Sequence, residues 1–220
     1  KCIFLTIIWN CVEMFHKWYN IDTSEIVVEK AMKLKEIADV VPGNFIKSSK
    51  LGDVGRYIYL QPKDIDEYDK IYTDKADRIA DMQIKRPNYV DVGGILFRAN
   101  GRTFRAAEVA NDAAELMLFH PNFFHIRFKP EADVASSYIV LLLNSRSGQQ
   151  YFHENRSSAS LKVVTKPVIE NFELTLPSIE EQRHWVAKYA DFKRKVGNLK
   201  RDIAWAEIEF YSDLEKSFKC

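Results

Sequence analysis

The last quarter of the chain, residues 177–220, constrains the fold more than any other stretch. Ser178 with Glu181 three residues later is typical of a helix start, because each side chain can satisfy a backbone N–H of the first turn. Apolar residues then recur in alternating steps of four and three, the spacing of a coiled-coil seam: Trp185, Tyr189, Phe192, Val196, Leu199, Ile203, Ala206 and Phe210. A helix of that extent would measure roughly 60 Å, too long to lie across a core of this size. We therefore predict a helix that needs a partner.

Composition narrows the class of protein. With 220 residues, of which 46% are apolar, the chain can form an ordinary core, and 32 basic against 31 acidic residues exclude a globally basic, histone-like binder. Three cysteines at positions 2, 11 and 220, without C-x-x-C spacing, argue against a disulfide framework or a zinc site and fit free thiols in a reducing compartment. The apolar run of residues 2–9 is too short to span a bilayer. We expect a cytoplasmic protein.

Periodicity along the chain predicts an α+β fold. We predict a helix over residues 25–40 that stops at Pro42 and strands over 56–60, 95–97, 123–128, 161–164 and 172–176. Residues 138–143 fit a buried strand or a helix by periodicity alone, and we favour a helix that runs on toward 152. Residues 64–81 are rich in acids and should form a solvated region facing away from any polyanion. We divide the chain into an apolar extension (1–31), one mixed domain (32–176) and a coiled-coil helix (177–220).

Motifs of the common catalytic classes are missing from the sequence. It contains no Walker loop, no G-x-G-x-x-G, no H-E-x-x-H and no G-x-S-x-G, and its five histidines are scattered. Asp191 and Lys193 could be read as part of a nuclease site, but two residues apart on a helix they point to different sides. We expect no catalytic residue, no metal and no cofactor.

Three basic loops carry the chemistry that contacts nucleic acid. Residues 44–50 and 98–105 contain no acid, and residues 144–166 contain only Glu154. Arginine and lysine contact phosphates and guanine edges, asparagine and glutamine pair with adenine, and serine contacts phosphate. Surface loops are commonly polar, so each loop alone is weak evidence, whereas three together favour a DNA interface. The candidate DNA-binding residues are Asn44, Lys47, Lys50, Arg56, Arg98, Asn100, Arg102, Arg105, Gln149, Gln150, Asn155, Arg156, Ser157, Ser158 and Ser160.

The order of four segments is similar to that of a known family. Residues 33–43, 92–101, 157–160 and 172–182 resemble the specificity (S) subunit of type I restriction–modification systems, and the resemblance covers about residues 33–220. It implies a target-recognition domain that binds double-stranded DNA at a specific sequence and has no catalysis of its own. It also implies docking onto the methyltransferase (modification) subunits and, through them, the restriction subunit.

The chain departs from this family in carrying one domain and one helix, where S subunits usually carry two of each with the helices antiparallel. The resemblance thus implies a half-subunit that forms a homodimer through its helix and reads two inverted half-sites. Residues 1–31 have no counterpart, and Gly197 is interpreted as a bend or a close approach of the partner. Two alternatives remain: a coiled-coil adaptor that binds protein and not DNA, and a nuclease with an unrecognised metal site.

Overall fold

The computed structural model describes residues 31–66, 70–80, 86–101, 103–109, 116–158 and 162–218. Apart from Ala31, the predicted N-terminal extension lies outside the described residues, as do Arg102, Ser160 and the three cysteines. The remainder follows the predicted α+β order, a sheet-rich domain and then one long helix.

The helices and strands follow one another in this order: β1 Ala31–Lys33, α1 Leu34–Ile37, β2 Ala38–Pro42, β3 Leu51–Gly52, β4 Tyr57–Leu60, β5 Asp77–Ile79, β6 Ile95–Arg98, β7 Ala106–Glu108, β8 Met117–Phe119, β9 Phe123–Phe128, α2 Ser136–Asn144, α3 Arg146–Asn155, α4 Lys166–Glu170, β10 Glu173–Thr175 and α5 Ile179–Ser217. Single 3₁₀ turns occupy Ser48–Lys50 and Pro62–Asp64.

A four-stranded antiparallel sheet of order β2-β9-β6-β7 forms the centre of the domain. Successive residues of a strand point to opposite faces, and here both faces are covered. Ile95 and Phe97 pack into the larger apolar cluster with α2, α3 and α4, whereas Leu96 and Phe123 pack into a second cluster with β4 and β8. The predicted strands at 95–97 and 123–128 are confirmed.

A second four-stranded sheet, of order β3-β5-β4-β8, covers the other face of the central sheet. All four residues of β4 are buried, because this strand lies between β5 and β8 and both of its faces pack.

The prediction that residues 64–81 form a solvated region is wrong in part. Ile79 and Asp64 are buried, and Asp64 accepts a hydrogen bond from the Gln61 backbone N–H at 2.7 Å.

The helix predicted up to residue 40 is wrong over the described residues. Only Leu34–Ile37 forms a helical turn, and Ala38–Pro42 is a strand paired with Phe124–Phe128. Its residues alternate, with Ala38 and Val40 buried and Asp39 exposed, which is the burial pattern of a strand. Pairing with a partner strand some 85 residues away overrode the local helical spacing.

The helix predicted from residue 138 is confirmed, but it is two helices. α2 ends at Asn144, and Ser145 then caps α3 by accepting a hydrogen bond from the Gly148 N–H at 3.1 Å. A serine at this position favours a new helix start over continuation. Over residues 162–164 of the predicted strand 161–164, pairing is limited to one bridge, Val163 with Asn100. Glu173–Thr175 is a strand as predicted and pairs with β1.

The long helix α5 has 39 residues and begins at the predicted serine cap. The Ser178 Oγ accepts from the Glu181 N–H at 3.3 Å. Five residues of the predicted seam are 48–63% exposed in the single chain: Trp185, Phe192, Leu199, Ile203 and Phe210. A Cβ built at Gly197 meets no atom within 4 Å, so nothing in the described fold requires a glycine there. The seam from Phe192 onward does not pack inward on its own domain.

Candidate nucleic-acid interface

Strand register brings the predicted basic loops to one end of the central sheet. Pro42, the last residue of β2, pairs with Phe124, and Arg98, the last residue of β6, pairs with Phe123. β2 and β6 flank the first residues of β9, so the loops after them leave the sheet side by side. Adjacent strands lie about 4.8 Å apart, which puts the two loop origins about 10 Å apart. We call this the loop end of the sheet.

The first loop, residues 43–50, is fixed to the domain through Asn44. Its side chain donates to the Arg86 carbonyl at 3.0 Å and accepts from the Asn88 N–H at 2.8 Å. Its backbone carbonyl accepts from the Tyr59 hydroxyl at 2.9 Å, and burial raises the pKa of Tyr59 to about 12, which keeps that hydroxyl a donor. Asn44 therefore holds the loop in one conformation and brings residues 86–88 beside it.

Basic side chains surround this anchored loop. Lys47 and Lys50 are exposed on the loop, and Arg86 is exposed next to Asn44. Arg56 lies with its guanidinium carbon 5.5 Å from the centroid of the Tyr57 ring, which in turn stacks on Tyr89 at 6.2 Å. Asp53 is the only acid between residues 44 and 56. The surface is predominantly cationic.

The second loop, after β6, is held by Arg98 and Asn100. The Arg98 Nε donates to the Asn100 carbonyl at 3.2 Å, and Gly101 follows with a φ of +121°. The positive φ favours a glycine at this turn, where a Cβ would also lie 3.3 Å from the end of the flexible Arg98 side chain. Asn100 bridges to Val163, and so joins the second loop to the third.

The third region, α3 and the residues after it, packs on the second loop. Gln149 accepts from the Phe104 N–H at 3.2 Å and donates to the carbonyls of Phe104 and Leu143 at 2.7 and 2.9 Å. The ring of Phe104 lies 5.0 Å from that of His153, which contacts Arg156 at 2.7 Å. All the polar atoms of the Gln149 amide are thus engaged inside the domain.

The remaining candidates of this region differ in exposure. Gln150 and Asn155 are exposed on α3, where Gln150 donates to Glu154 at 2.8 Å and Asn155 to the Tyr151 carbonyl at 2.9 Å. Ser157 accepts from the Val163 N–H at 3.1 Å, and Ser158 is exposed. Arg105 lies beside β7, and its backbone carbonyl accepts from the Arg98 N–H at 2.7 Å.

The long helix is attached near the opposite end of the sheet. Gln182, in its first turn, is 1% exposed, and its side chain accepts from the Ala135 N–H at 2.9 Å. It also donates to the Pro177 carbonyl at 2.9 Å and to that of Asp133 at 3.4 Å. Residues 129–135 follow the last residue of β9, the end farthest from Pro42 and Arg98. The basic loops therefore leave the central sheet at one end, and the first turn of the helix is attached near the other.

Within the described residues, no group of three or more histidine, cysteine, aspartate or glutamate side chains is arranged to hold a metal ion. Among the helices of the same residues, none combines the length and apolar character that a membrane crossing requires.

A family model, the type I restriction modification DNA specificity domain, matches residues 28–204. The chain belongs to this family. The predicted resemblance is thereby confirmed, with one target-recognition domain and one long helix within the described residues. No curated protein sequence matches the chain at a significant level.

Solved structures from type I restriction–modification systems share the fold. A structure reported for complex assembly and conformational transition of the type I R-M system superposes with a TM-score of 0.63 at 19% identity, over 90% of this chain and 46% of that one. The HsdS subunit from Thermoanaerobacter tengcongensis gives 0.56 at 18%, over 84% and 43%. The type I S subunit from M. genitalium gives 0.53 at 10%, over 81% and 42%. The chain thus spans less than half the length of these relatives.

Three features of the specificity domain were not predicted from the sequence. Arg86 and Asn88 join the first loop through hydrogen bonds that no charge pattern marks: Asn44 bonds to the backbone of both, and the Asn88 side chain donates to the Pro42 carbonyl at 2.8 Å. His153 joins the second loop through the contact of its ring with that of Phe104. Gln182 belongs to a recognised segment, yet its role appears only in the packed structure, where it is buried against a chain segment nearly 50 residues away.

Proposed function

We propose that this chain is a sequence-specific DNA-recognition subunit of a type I restriction–modification complex, and that its loop end reads one half-site. The observation that carries the proposal is the register of β2 and β6 on β9, which brings the first two basic loops to one edge, with the third bridged to them at Asn100. Loop origins about 10 Å apart suit a B-DNA major groove about 12 Å wide.

The chemistry of the loop end supports contact with both backbone and bases. Lys47, Lys50 and Arg86 are exposed and suit phosphates. Arg98, Asn100 and Arg156 are half-buried and held by protein contacts, which is the pre-organisation that base reading requires. We retain Asn44 and Gln149 as residues that shape the surface, because their amides are engaged within the domain.

The helix supports the second part of the proposal, association. The five exposed seam residues of α5 form one stripe, and a second copy of the chain offers the same stripe in return. A homodimer of this kind would present two loop ends to two inverted half-sites. In the proposed complex the domain of residues 32–176 and the outer faces of helix 177–220 dock the methyltransferase subunit, and through it the restriction subunit, in the cytoplasm. The chain itself supplies specificity and no catalysis.

The test is binding of a fluorescent duplex that carries the chain's own target, measured against salt concentration. The target is found by sequencing methylated positions in a host that carries the chain with its methyltransferase. The double variant Lys47→Glu with Lys50→Glu should weaken binding and lower the slope of log K against log salt by about 2, since each phosphate contact contributes about 0.9. The matched control reverses two lysines of the acidic segment, Lys70→Glu with Lys75→Glu, and should leave the slope unchanged.

Four results would count against the proposal. Binding without salt dependence, or binding that survives reversal of Arg98 and Arg105 together with Arg102, would remove the DNA interface. Absence of duplex affinity even at low salt would favour the adaptor, which the exposed seam also permits. Magnesium-dependent cleavage of DNA by the purified chain would favour the nuclease.

A further inference from the structure

Phe45 is a large apolar side chain exposed in the middle of the first basic loop. It is 74% exposed, whereas its neighbour Ile46 is buried in a cluster with Tyr57, Tyr59 and Leu118. A single exposed apolar residue is ordinary on a protein surface, so exposure alone means little. Phe45 differs from an ordinary exposed residue in that both of its neighbours in the chain are fixed to the domain.

Both sides of Phe45 are fixed to the domain. Asn44 on one side makes four hydrogen bonds: its N–H donates to the Phe119 carbonyl at 2.8 Å, its carbonyl accepts from the Tyr59 hydroxyl, and its amide bonds to Arg86 and Asn88. Ile46 on the other side is 93% removed from solvent. The backbone cannot turn the Phe45 ring inward without breaking these contacts. The ring is therefore held outward.

The position of Phe45 indicates which kind of ligand its ring would contact. It lies three residues after Pro42, at the loop end, with Lys47 and Lys50 following it and Arg86 beside Asn44. A polyanion drawn to these cations meets an exposed aromatic ring on the same loop. On a DNA duplex the phosphates satisfy the cations, and the apolar group that projects into the major groove is the 5-methyl group of thymine.

We propose that Phe45 is a specificity-determining residue that contacts a thymine methyl group in the recognised half-site. This rests on the proposed function and deepens it, since it assigns one side chain to base readout rather than to backbone contact. Lysine–phosphate contacts do not distinguish sequences, whereas burial of the ring against a methyl group does.

The first measurement compares Phe45→Ala with the wild type on the target duplex and on an unrelated duplex. Loss of the buried ring should weaken target binding about tenfold or more and leave binding to the unrelated duplex and the salt slope unchanged. Val92→Ala is the control, because Val92 is an exposed apolar residue that precedes β6, whereas the loop end lies after the last residue of β6. Thermal melting of both variants should match the wild type, since neither side chain is buried.

The second measurement replaces each thymine of the half-site in turn with uracil, which removes only the methyl group. At one position the wild type should lose about fourfold in affinity, the value of one buried methyl-sized group, and Phe45→Ala should lose nothing. Equal losses for both proteins, or no loss for either, would overturn the assignment. If the wild type does not prefer its target at all, the proposed function fails. If it does and Phe45→Ala binds equally well, this inference alone fails.

Discussion

Replacing Gln182 tests how the long helix is tied to the recognition domain. Gln182 is buried, and it bonds to backbone groups on both sides of the junction, the Ala135 N–H and the Pro177 carbonyl. Leucine is of similar size but has neither donor nor acceptor. In Gln182→Leu the packing stays filled, and these two backbone groups lose their partner.

The size of the effect follows from the bonds lost. Two hydrogen bonds of 2.9 Å each contribute about 1 kcal/mol net, while the 3.4 Å contact with Asp133 is long and adds little. Ala135 and Pro177 are half-buried, so water recovers part of their bonding. We expect a loss of about 2 kcal/mol in the free energy of unfolding, which for a chain of this size lowers Tm by about 4–8 °C.

Urea unfolding at a fixed protein concentration measures this loss, because association through α5 would otherwise shift the midpoint. Hydrogen exchange at the Ala135 amide reports the lost bond directly and should accelerate in Gln182→Leu. Gln150→Leu is the control, since Gln150 is exposed and bonds only to Glu154. It should change stability by less than about 0.5 kcal/mol.

Gln182→Glu separates the acceptor from the donor. At neutral pH the carboxylate keeps the bond from Ala135 but faces the Pro177 carbonyl without a proton, so the variant should be less stable than the wild type. Burial raises the pKa of such a carboxyl group, and protonation restores a donor, so the deficit should shrink as pH falls. A Gln182→Leu protein as stable as the wild type, with an equally protected Ala135 amide, would refute the role of Gln182.

Two further predictions concern the seam and the core. Phe192→Asp with Leu199→Asp should give monomers in sedimentation with an unchanged domain fold, while Ile208→Asp on another face of the helix should not; a dimer that persists in the double variant would place the interface elsewhere. Burial lowers the pKa of His125 to about 4, so the folded protein binds fewer protons than the unfolded one between about pH 4 and 6.5. Stability should therefore fall by about 2 kcal/mol from pH 7 to pH 5, and an equally steep fall in His125→Asn would exclude His125 as its cause.

Elements whose own residues carry the pattern could be predicted from the sequence. The cap at Ser178 and the heptads after it predicted α5, and alternation predicted β9, because in both cases the apolar pattern of the sequence repeats within the element. Residues 38–42 could not be predicted in this way. Ile37 and Val40 fit helical spacing, Ala38 and Val40 fit strand alternation, and pairing with β9 decided between them.

The candidate site, too, could be predicted from the sequence only in part. Basic charge and the scarcity of acids identified the three loops, but their meeting at one end depends on the register of Pro42 and Arg98 against β9, which no local pattern specifies. Gln149 looked like a base-reading residue by type, and in the structure its amide is engaged by Phe104 and Leu143. Phe45 is the opposite case. It was not among the candidates, because it is an apolar residue in a polar loop, and only the fixed positions of its neighbours in the structure draw attention to it.

The proposed seam contact of α5 and the attachment through Gln182 differ in what they can specify. An apolar seam binds strongly but tolerates sliding and rotation, because burial of area has no direction. The bonds of Gln182 are directional and hold the first turn of the helix in one orientation to the domain. A helix of 39 residues is about 58 Å long, so a small rotation at its first turn becomes a displacement of several ångströms at its far end. If this helix sets the distance between two half-sites, a buried amide at its start does more for spacing than any seam residue.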